Sequence, residues 1–300
     1  MTSLGLLTVR ARFHGQGIDQ LGVQLARPPV TRLFVGQPPE AVVKTVPYLY
    51  TLCAHAQRAA APAALASAAG EARRPVDDGE LWIEFLHENL WRLLLDWPQA
   101  FGLTPANEAF SIWRAARQGP DRVVETQTLL AGALHEMAGR CLAQFGGADP
   151  ELPAAGFPEL APGPWLAYWQ GCSTDVPATR RPASVAAAYR LRLSEVHLAA
   201  TALAENRAYP VAATGAVGWG VGQTQTARGV LTHAVHVEAG KVRNYRVWSP
   251  TDCYFADADA LSGLLAGRHF ADHGAARRGL DQAVLALDPC LPYVLELNDA

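Results

Sequence analysis

The cysteines offer the widest choice of chemistry in this sequence, because a thiolate can bind a metal ion, form a disulfide or attack a carbonyl group. The five cysteines are scattered along the chain: Cys53, Cys141, Cys172, Cys253 and Cys290. No Cys-x-x-Cys pair occurs, and an odd number of scattered cysteines fits neither a disulfide framework nor a structural zinc site. The pattern therefore predicts reduced thiols.

Histidines next to these cysteines, or next to each other, could complete a site. Cys53 and His55 could supply a thiolate and an imidazole to a metal ion, but an isolated pair of this kind more often combines a packed cysteine with a surface histidine. His269 and His273 would share a helix face, yet they lack the glutamate of His-Glu-x-x-His. A thiol-dependent hydrolase using Cys53 or Cys290 stays open as an alternative, and it requires a cysteine with a depressed pKa.

Glycines are concentrated at residues 215–222. In a nucleotide-binding loop such glycines follow a strand and open a helix, whereas these follow a predicted helix and enter a predicted strand. We interpret them as a path that lets the backbone pass close to another element. The next segment predicts a hairpin, with strands at residues 230–237 and 242–248 and a break at Ala239-Gly240.

The composition is that of a globular protein. The chain has 300 residues, of which 50% are hydrophobic and 18% charged, enough to bury a sizeable core. The formal net charge is −3, so no basic surplus indicates a nucleic-acid or anionic-membrane partner. The N-terminus lacks a basic region followed by an apolar run of about 7–15 residues. We expect a cytoplasmic protein that binds neither nucleic acid nor membrane.

Hydrophobic periodicity predicts helices between two hairpin-rich ends. An N-terminal hairpin is expected from residues 6–13 and 18–26. Helices are expected at residues 40–69 with interruptions at Pro47 and Pro62, and at 81–97, 122–145, 184–207 with Ser184 as the cap, 257–267 and 271–287. The prediction is an α+β fold: a central helical bundle and a small β-sheet built from the N-terminal and C-terminal hairpins. A Pro/Gly-rich loop is expected at about 146–183.

Several motifs in one order resemble those of NiFe hydrogenase large subunits. That family carries Arg-Ile-Cys-Gly-x-Cys-x-x-x-His, then Gly-Val-Gly, Pro-Arg-Gly and His, then Gly-Lys-Ile, Tyr and Pro-Thr/Ser-Thr, and finally Asp-Pro-Cys-x-x-Cys. The counterparts here are Leu49-Tyr50-Thr51-Leu52-Cys53-Ala54-His55-Ala56-Gln57, Gly220-Val221-Gly222 to His233, Gly240-Lys241-Val242, Tyr245, Pro250-Thr251 and Asp288-Pro289-Cys290. Residues 87–98 strengthen the likeness to shortened large-subunit homologues, the HupK/HoxV type of maturation protein. The resemblance implies one hydrogenase-large-subunit-like domain over residues 1–300.

The departures from the family pattern concern the metal ligands. If Cys53 occupies the second cysteine of the early motif, Tyr50 stands at the first and Gln57 at the histidine. At the end, Cys290 fits the first cysteine and Tyr293 replaces the second. The family binds nickel through all four thiolates, so the two that remain imply no nickel. An Fe(CN)2(CO) unit needs fewer protein ligands, because its diatomic ligands fill much of the coordination sphere.

The resemblance therefore implies a maturation scaffold that transiently holds or helps to assemble the Fe(CN)2(CO) unit before its transfer to the hydrogenase large subunit. Such a protein is not an enzyme. Cys53 and Cys290 would be the metal ligands, Arg228 and Thr251 would donate hydrogen bonds to the cyanides, and Asp288 would orient Arg228 or the Cys290 backbone. The expected partners are a small hydrogenase accessory chaperone, other maturation proteins and the hydrogenase large-subunit precursor.

A second interpretation is an interaction protein or chaperone that binds the hydrogenase precursor or its accessory proteins and holds no metal. The loss of two cysteines favours this interpretation, whereas Arg228 together with Asp288-Pro289-Cys290 favours the scaffold. The two differ in geometry. A shared iron requires Cys53 and Cys290 in one pocket, with Arg228 directed at it.

Overall fold

The structure, a computed structural model, describes residues 5–145 and 156–299. It is a mixed fold of helices with a 3-stranded and a 4-stranded sheet. The strands are β1 Leu6–His14, β2 Gly17–Ala26, β3 Val211–Ala216, β4 Trp219–Thr226, β5 Gly229–Glu238, β6 Lys241–Trp248 and β7 Tyr293–Asp299. The helices are α1 Pro39–Leu49, α2 Ala54–Ala69, α3 Asp78–Trp91, α4 Trp97–Ala100, α5 Asn107–Ala116, α6 Arg122–Leu129, α7 His135–Ala143, α8 Pro162–Trp169, α9 Val185–Ala204, α10 Pro250–Tyr254, α11 Asp259–Leu265 and α12 His273–Leu287.

The first sheet joins the two ends of the chain. β1 and β2 form the predicted antiparallel hairpin, and β7 pairs parallel to β1 from Leu7 opposite Tyr293 onward. Just before this pairing, the backbone N–H of Leu7 donates to the carbonyl of Pro292 over 3.1 Å. The segment before β7 is thereby held against the N-terminal hairpin. Residues near position 290 and residues just after β2 consequently become neighbours.

The second sheet is an antiparallel meander in the order β3-β4-β5-β6. It contains the predicted late hairpin, β5 and β6, so the expectation of a single sheet shared by both hairpins was wrong. The reason is that the glycines at 215–222 form a further hairpin, β3 and β4, which pairs with β5. The expected α+β class with a helical bundle and small sheets is confirmed.

The glycines of β4 touch the alanine-rich helix α2. A Cβ at Gly222 would lie 2.3 Å from the carbonyl oxygen of Ala60, and one at Gly220 would lie 2.0 Å from that of Ala64. Only glycine lets the strand and helix backbones approach so closely. The predicted close passage of the backbone is therefore confirmed. It fixes the position of α2 and of the residues just before it.

The helical predictions hold with one correction. Pro47 and Pro62 both lie inside helices, α1 and α2, and the break between these helices falls at residues 50–53 instead. The interruptions predicted at the prolines were wrong, because the packing of α2 on β4 outweighs the hydrogen bond that Pro62 removes. Ser184 caps α9 as predicted, accepting from the N–H of Ala187 over 3.0 Å.

Two helices continue through π-helical turns. Arg92–Asp96 connects α3 to α4, and Leu130–Leu134 connects α6 to α7. Such turns often mark functional places in a helix, and the first of them begins with a side chain of the site described below.

The predicted Pro/Gly-rich loop at about 146–183 lies in part outside the described residues, at positions 146–155. Its later part contains α8, whose Trp165 ring lies 4.9 Å from that of Trp248 at the end of β6. Among residues 5–145 and 156–299, no helix is both long and apolar enough to cross a membrane.

Candidate functional site

The C-terminal thiol of the site is held by the turn between β6 and α10. Thr251 lies in the first turn of α10, and its Oγ1 is 3.2 Å from the Sγ of Cys290. The same hydroxyl oxygen accepts the backbone N–H of Cys290 over 3.1 Å. The structure thus brings together Thr251 and Cys290. The Thr251 hydroxyl hydrogen can serve this sulfur or a group bound beside it.

Arg27 makes the second contact to this sulfur, and sequence reasoning missed it. Its Nη2 donates to the Cys290 Sγ over 2.9 Å, and its Nη1 lies 3.3 Å from Oδ1 of Asp252. Burial alone would lower the pKa of the Arg27 guanidinium, but Cys290 and Asp252 raise it above its usual value. Arg27 follows β2 directly, so the β1–β7 pairing described above accounts for this contact.

Cys53 stands at the start of α2, where a short 3₁₀ turn ends. Nε2 of Gln57, one helical turn further on, donates to its Sγ over 3.4 Å. Burial raises the pKa of the Cys53 thiol to about 12, with smaller contributions from the negative charges of Glu84 and of a Cys290 thiolate. The charge of a Cys290 thiolate therefore reaches Cys53, which indicates that the two thiols are near neighbours.

Glu84 reaches the same helix end from α3. Its carboxylate accepts the backbone N–H groups of His55 and Ala56 over 2.7 and 2.9 Å. Burial raises the pKa of Glu84 to about 7 despite these hydrogen bonds. The carboxylate ties α3 to the first turn of α2 and so helps to hold Cys53 in place.

The imidazole of His55 has a different neighbour from the thiol of Cys53. Its Nε2 lies 3.7 Å from Oε2 of Glu80. In the part of the chain that the structure describes, no group of three or more His, Cys, Asp or Glu side chains could hold a metal ion. The structure therefore gives no support to a metal site built on the Cys53 and His55 pair.

Arg228 approaches the pocket from the turn between β4 and β5. Its Nη2 donates to Oε2 of Glu88 over 2.8 Å, and its Nε lies 3.5 Å from Oδ1 of Asp288. Burial alone would lower the pKa of the Arg228 guanidinium, but Asp288, Glu88 and a Cys290 thiolate raise it far above its usual value. Arg228 therefore keeps its positive charge in a buried position next to the thiols.

Asp288 is shared by more partners than the sequence indicated. It stands at the end of α12 with a left-handed backbone, φ 48°, and its carboxylate also accepts from Arg92 Nε over 2.7 Å and Arg192 Nη2 over 3.0 Å. Burial would raise its pKa, but the guanidinium groups of Arg228, Arg92 and Arg192 lower it far below the usual range. Asp288 therefore orders three arginines, of which Arg228 is one.

Some of these missed residues had a signal in the sequence. Glu88 and Arg92 belong to the segment at residues 87–98 that strengthened the family likeness, and Gln57 ends the early cysteine motif. Arg27 and Arg192 had none, because only long-range pairing brings them to the site.

The pocket offers ligands and donors of distinct kinds. Cys53 and Cys290 can bind a soft metal ion once their protons are lost, and guanidinium and hydroxyl groups suit anionic ligands on that ion. Among the described residues, the buried Nε of Arg228 and Oε1 of Gln57 have no hydrogen-bond partner. An Fe(CN)2(CO) unit would suit this donor set, because two sulfurs would suffice as protein ligands. The Nε–H of Arg228, which lies 3.5 Å from Asp288 without a hydrogen bond to it, could then meet a cyanide nitrogen.

Three of the thiols do not have the character of hydrolase nucleophiles. An activated cysteine has a depressed pKa. Burial instead raises the pKa of Cys53 to about 12 and that of Cys253 to about 11, and it raises that of Cys141 as well. These three thiols therefore lack the property that the hydrolase alternative requires.

Comparisons with known proteins give consistent relatives. No family model matches the chain. It is 30% identical to the hydrogenase expression/formation protein HupV of Azotobacter chroococcum mcd 1, with 99% of both chains covered. It is 30% identical to HupK of Azotobacter vinelandii over 99% of both chains, and 26% identical to HoxV of Cupriavidus necator over 100% of this chain and 98% of that protein.

The solved structures that are similar in fold are hydrogenases. The Ni-Fe-Se hydrogenase of D. vulgaris Hildenborough matches with a TM-score of 0.60 at 13% identity, covering 93% of this chain and 94% of that chain. An NAD+-reducing [NiFe]-hydrogenase matches with a TM-score of 0.51 at 17% identity, covering 91% and 92%. At these identities the likeness concerns the fold alone.

Proposed function

The chain belongs to the HupV, HupK and HoxV family of hydrogenase expression/formation proteins, and from this membership we propose that it is a maturation scaffold. It holds or helps to assemble the Fe(CN)2(CO) unit before that unit passes to the hydrogenase large subunit. The observation that supports the proposal is that Cys290, contacted by Thr251 and Arg27, and the buried guanidinium of Arg228 lie close enough to Cys53 for their charges to affect its pKa. The iron unit is cargo and not a resident cofactor.

Each residue of the pocket has a role in this proposal. Cys53 and Cys290 are the iron ligands, and both must lose their protons to bind. Arg228 and Thr251 donate to the cyanide nitrogens, which carry partial negative charge. Asp288 is a positioning residue, because it fixes the Arg228 guanidinium through its carboxylate.

The same pocket is unsuited to nickel. The hydroxyl of Tyr293 donates to Oδ1 of Asp281 over 2.7 Å, so the side chain that replaces the last cysteine of the family motif is engaged elsewhere. Tyr50 replaces the first cysteine of the early motif, and burial raises the pKa of its phenol to about 12. Two thiols with two neutral phenols do not supply the soft ligands of a four-thiolate nickel site. The proposal is accordingly a scaffold without nickel and without enzymatic activity.

The partners follow from the direction of transfer. A small hydrogenase accessory chaperone is the proposed donor of the iron unit, other maturation proteins take part in its assembly, and the large-subunit precursor is the proposed recipient. These exchanges are proposed to take place in the cytoplasm.

Infrared spectroscopy tests the proposal. Protein produced together with the hydrogenase maturation machinery should show cyanide and carbonyl stretching bands. The Cys53→Ala, Cys290→Ala double variant should lose them, since no thiolate is left to bind iron. Cys172→Ala is the matched control, because Cys172 is exposed and should leave the bands unchanged. Wild-type protein without bands, or bands that persist in the double variant, would refute the scaffold.

An interaction protein without metal remains the second candidate, and one observation favours it. Only two cysteines stand where the family motifs have four, and the described residues contain no cluster of three or more metal-binding side chains. On this alternative the chain binds the hydrogenase precursor or its accessory proteins by its surface. Pull-down of those proteins would then survive the loss of both cysteines, and no infrared bands would accompany the complex.

A further inference from the structure

We propose that Arg27 is a displaceable lock on Cys290: its guanidinium takes the place of a metal ion at the sulfur and keeps free divalent cations away until the cargo arrives. This inference rests on the proposed function, because it concerns the same sulfur. It adds a specificity-determining residue that no sequence motif indicated.

The contacts of Arg27 are those that a bound cation would have. Nη2 lies 2.9 Å from Cys290 Sγ, and Nη1 lies 3.3 Å from Asp252 Oδ1 and 3.5 Å from Ser249 Oγ. A sulfur, a carboxylate and a hydroxyl converge on one guanidinium. Since arginine stays charged at any ordinary pH, this cation is always present in the cargo-free protein. A divalent ion would have to expel it or be repelled by it.

The groups around Arg27 are held in place independently of it. Oδ2 of Asp252 accepts the backbone N–H of Ser249 over 3.0 Å, and Oγ of Ser249 accepts the backbone N–H of Asp252 over 3.2 Å, which is a capping box at the start of α10. The backbone of Arg27 is restricted by the following Pro28. The backbone N–H of Cys290 donates to Thr251 Oγ1 over 3.1 Å, which holds the residue that carries the sulfur. The Arg27 side chain is therefore the part of this group that can move.

The Arg27 side chain also has open space beside it. It lines an open surface groove of about 620 Å³, formed with Gly5, Leu6, Ala26, Pro28 and Pro292. Its side chain is 22% exposed, whereas that of Arg228 is 4% exposed and pinned between two carboxylates. The guanidinium can therefore leave Cys290 toward the groove while the core stays intact. The Arg228 guanidinium cannot move in this way. Arg228 is therefore a fixed hydrogen-bond donor, whereas Arg27 is a movable lock.

Binding of Cd²⁺ to the cargo-free protein tests the lock. The ion prefers thiolates, and its sulfur-to-metal absorption in the ultraviolet reports coordination by cysteine. Reduced, chelator-washed protein made without the maturation machinery should bind Cd²⁺ weakly. Arg27→Ala should bind it at least about tenfold more tightly, because the repelling charge is gone. Arg27→Lys keeps a cation and should stay within about threefold of wild type.

The controls separate the lock from a general charge effect. Arg10→Ala removes an exposed arginine of β1 that pairs with Glu296 and should not change Cd²⁺ affinity. Arg27→Ala combined with Cys290→Ala should lose the gain. Equal affinities of wild type and Arg27→Ala, or a gain that survives the loss of Cys290, would overturn the inference. Arg27→Gln, which preserves length and polarity, supplies the comparison if the alanine variant is poorly folded.

The result is independent of the infrared test. A gain in Cd²⁺ affinity without infrared bands in the loaded preparation would leave the lock standing and remove the iron scaffold. Infrared bands that depend on the cysteines, with no effect of Arg27→Ala on Cd²⁺ affinity, would support the iron scaffold and overturn the lock.

Discussion

Asp288→Ala is expected to lower the free energy of unfolding by about 3–5 kcal/mol, because removing one partner of a buried ion network leaves the other charges uncompensated. Asp288 is 1% exposed and accepts from Arg92 and Arg192, with Arg228 at 3.5 Å. Alanine would also be strained at φ 48°. Urea denaturation followed by tryptophan fluorescence measures the loss. A variant within about 1 kcal/mol of wild type would contradict the network.

The contribution of the Asp288 charge to stability can be measured separately from that of its backbone conformation. Asp288→Asn keeps the size and tolerates the left-handed conformation, so its cost reports the lost charge. The folded-state pKa of Asp288 is depressed, so its stabilisation is present above the unfolded-state pKa of about 3.9 and is lost as the pH falls toward the folded-state pKa. The difference between wild type and Asp288→Asn should therefore be constant above about pH 5 and shrink below about pH 4. Asp19→Asn, at a half-exposed position, should cost less than about 0.5 kcal/mol at any pH.

Gly222→Ala is expected to destabilise the protein by about 3 kcal/mol or more, because overpacking here meets backbone atoms that have no rotamer to change. The added Cβ would lie 2.3 Å from the carbonyl oxygen of Ala60 and 2.6 Å from the nitrogen of Ala64. Helix α2 would have to move away from β4. Since Cys53 directly precedes α2, the variant should also lose the iron unit.

Gly139→Ala is the matched control for Gly222→Ala. Gly139 lies in α7, is exposed, and nothing would lie within 4 Å of an added Cβ. Alanine there should stabilise the protein by about 0.5–1 kcal/mol through helix propensity. Thermal and urea denaturation measure both variants. Equal stability of Gly222→Ala and wild type would show that α2 and β4 are not held in contact.

Local elements of this chain could be predicted because their causes are local. The alternation that forms β1 and β2 and the Ser184 cap of α9 are both visible within a few residues. Pro62 misled the prediction, because helix α2 is held by tertiary packing that a local rule does not include. The separation of the two hairpins into two sheets was missed for a related reason, because it depends on long-range pairing: the hairpin of β3 and β4 pairs with β5, and β7 pairs with β1.

The same distinction between local and long-range causes applies to the residues of the candidate site. The ordered motifs indicated Cys53, Arg228, Thr251, Asp288 and Cys290. In the structure Thr251 contacts Cys290, Arg228 lies 3.5 Å from Asp288, and the charges of Cys290 and Arg228 reach Cys53. Arg27 and Arg192 could not be found in this way, because their roles depend on contacts across the fold. Their guanidinium groups set the charge of the pocket. Motifs therefore indicated the proposed ligands, and the structure added the charged groups around them.

The central claim is that Cys53 and Cys290 bind one iron together. X-ray absorption at the iron K-edge of protein produced with the maturation machinery tests it most directly, since the scattering counts the sulfur neighbours of the metal. We expect two sulfur atoms per iron, and we expect the remaining neighbours of the iron to be light atoms of the diatomic ligands. Iron without sulfur neighbours, or with the four of a conventional iron–sulfur centre, would contradict it.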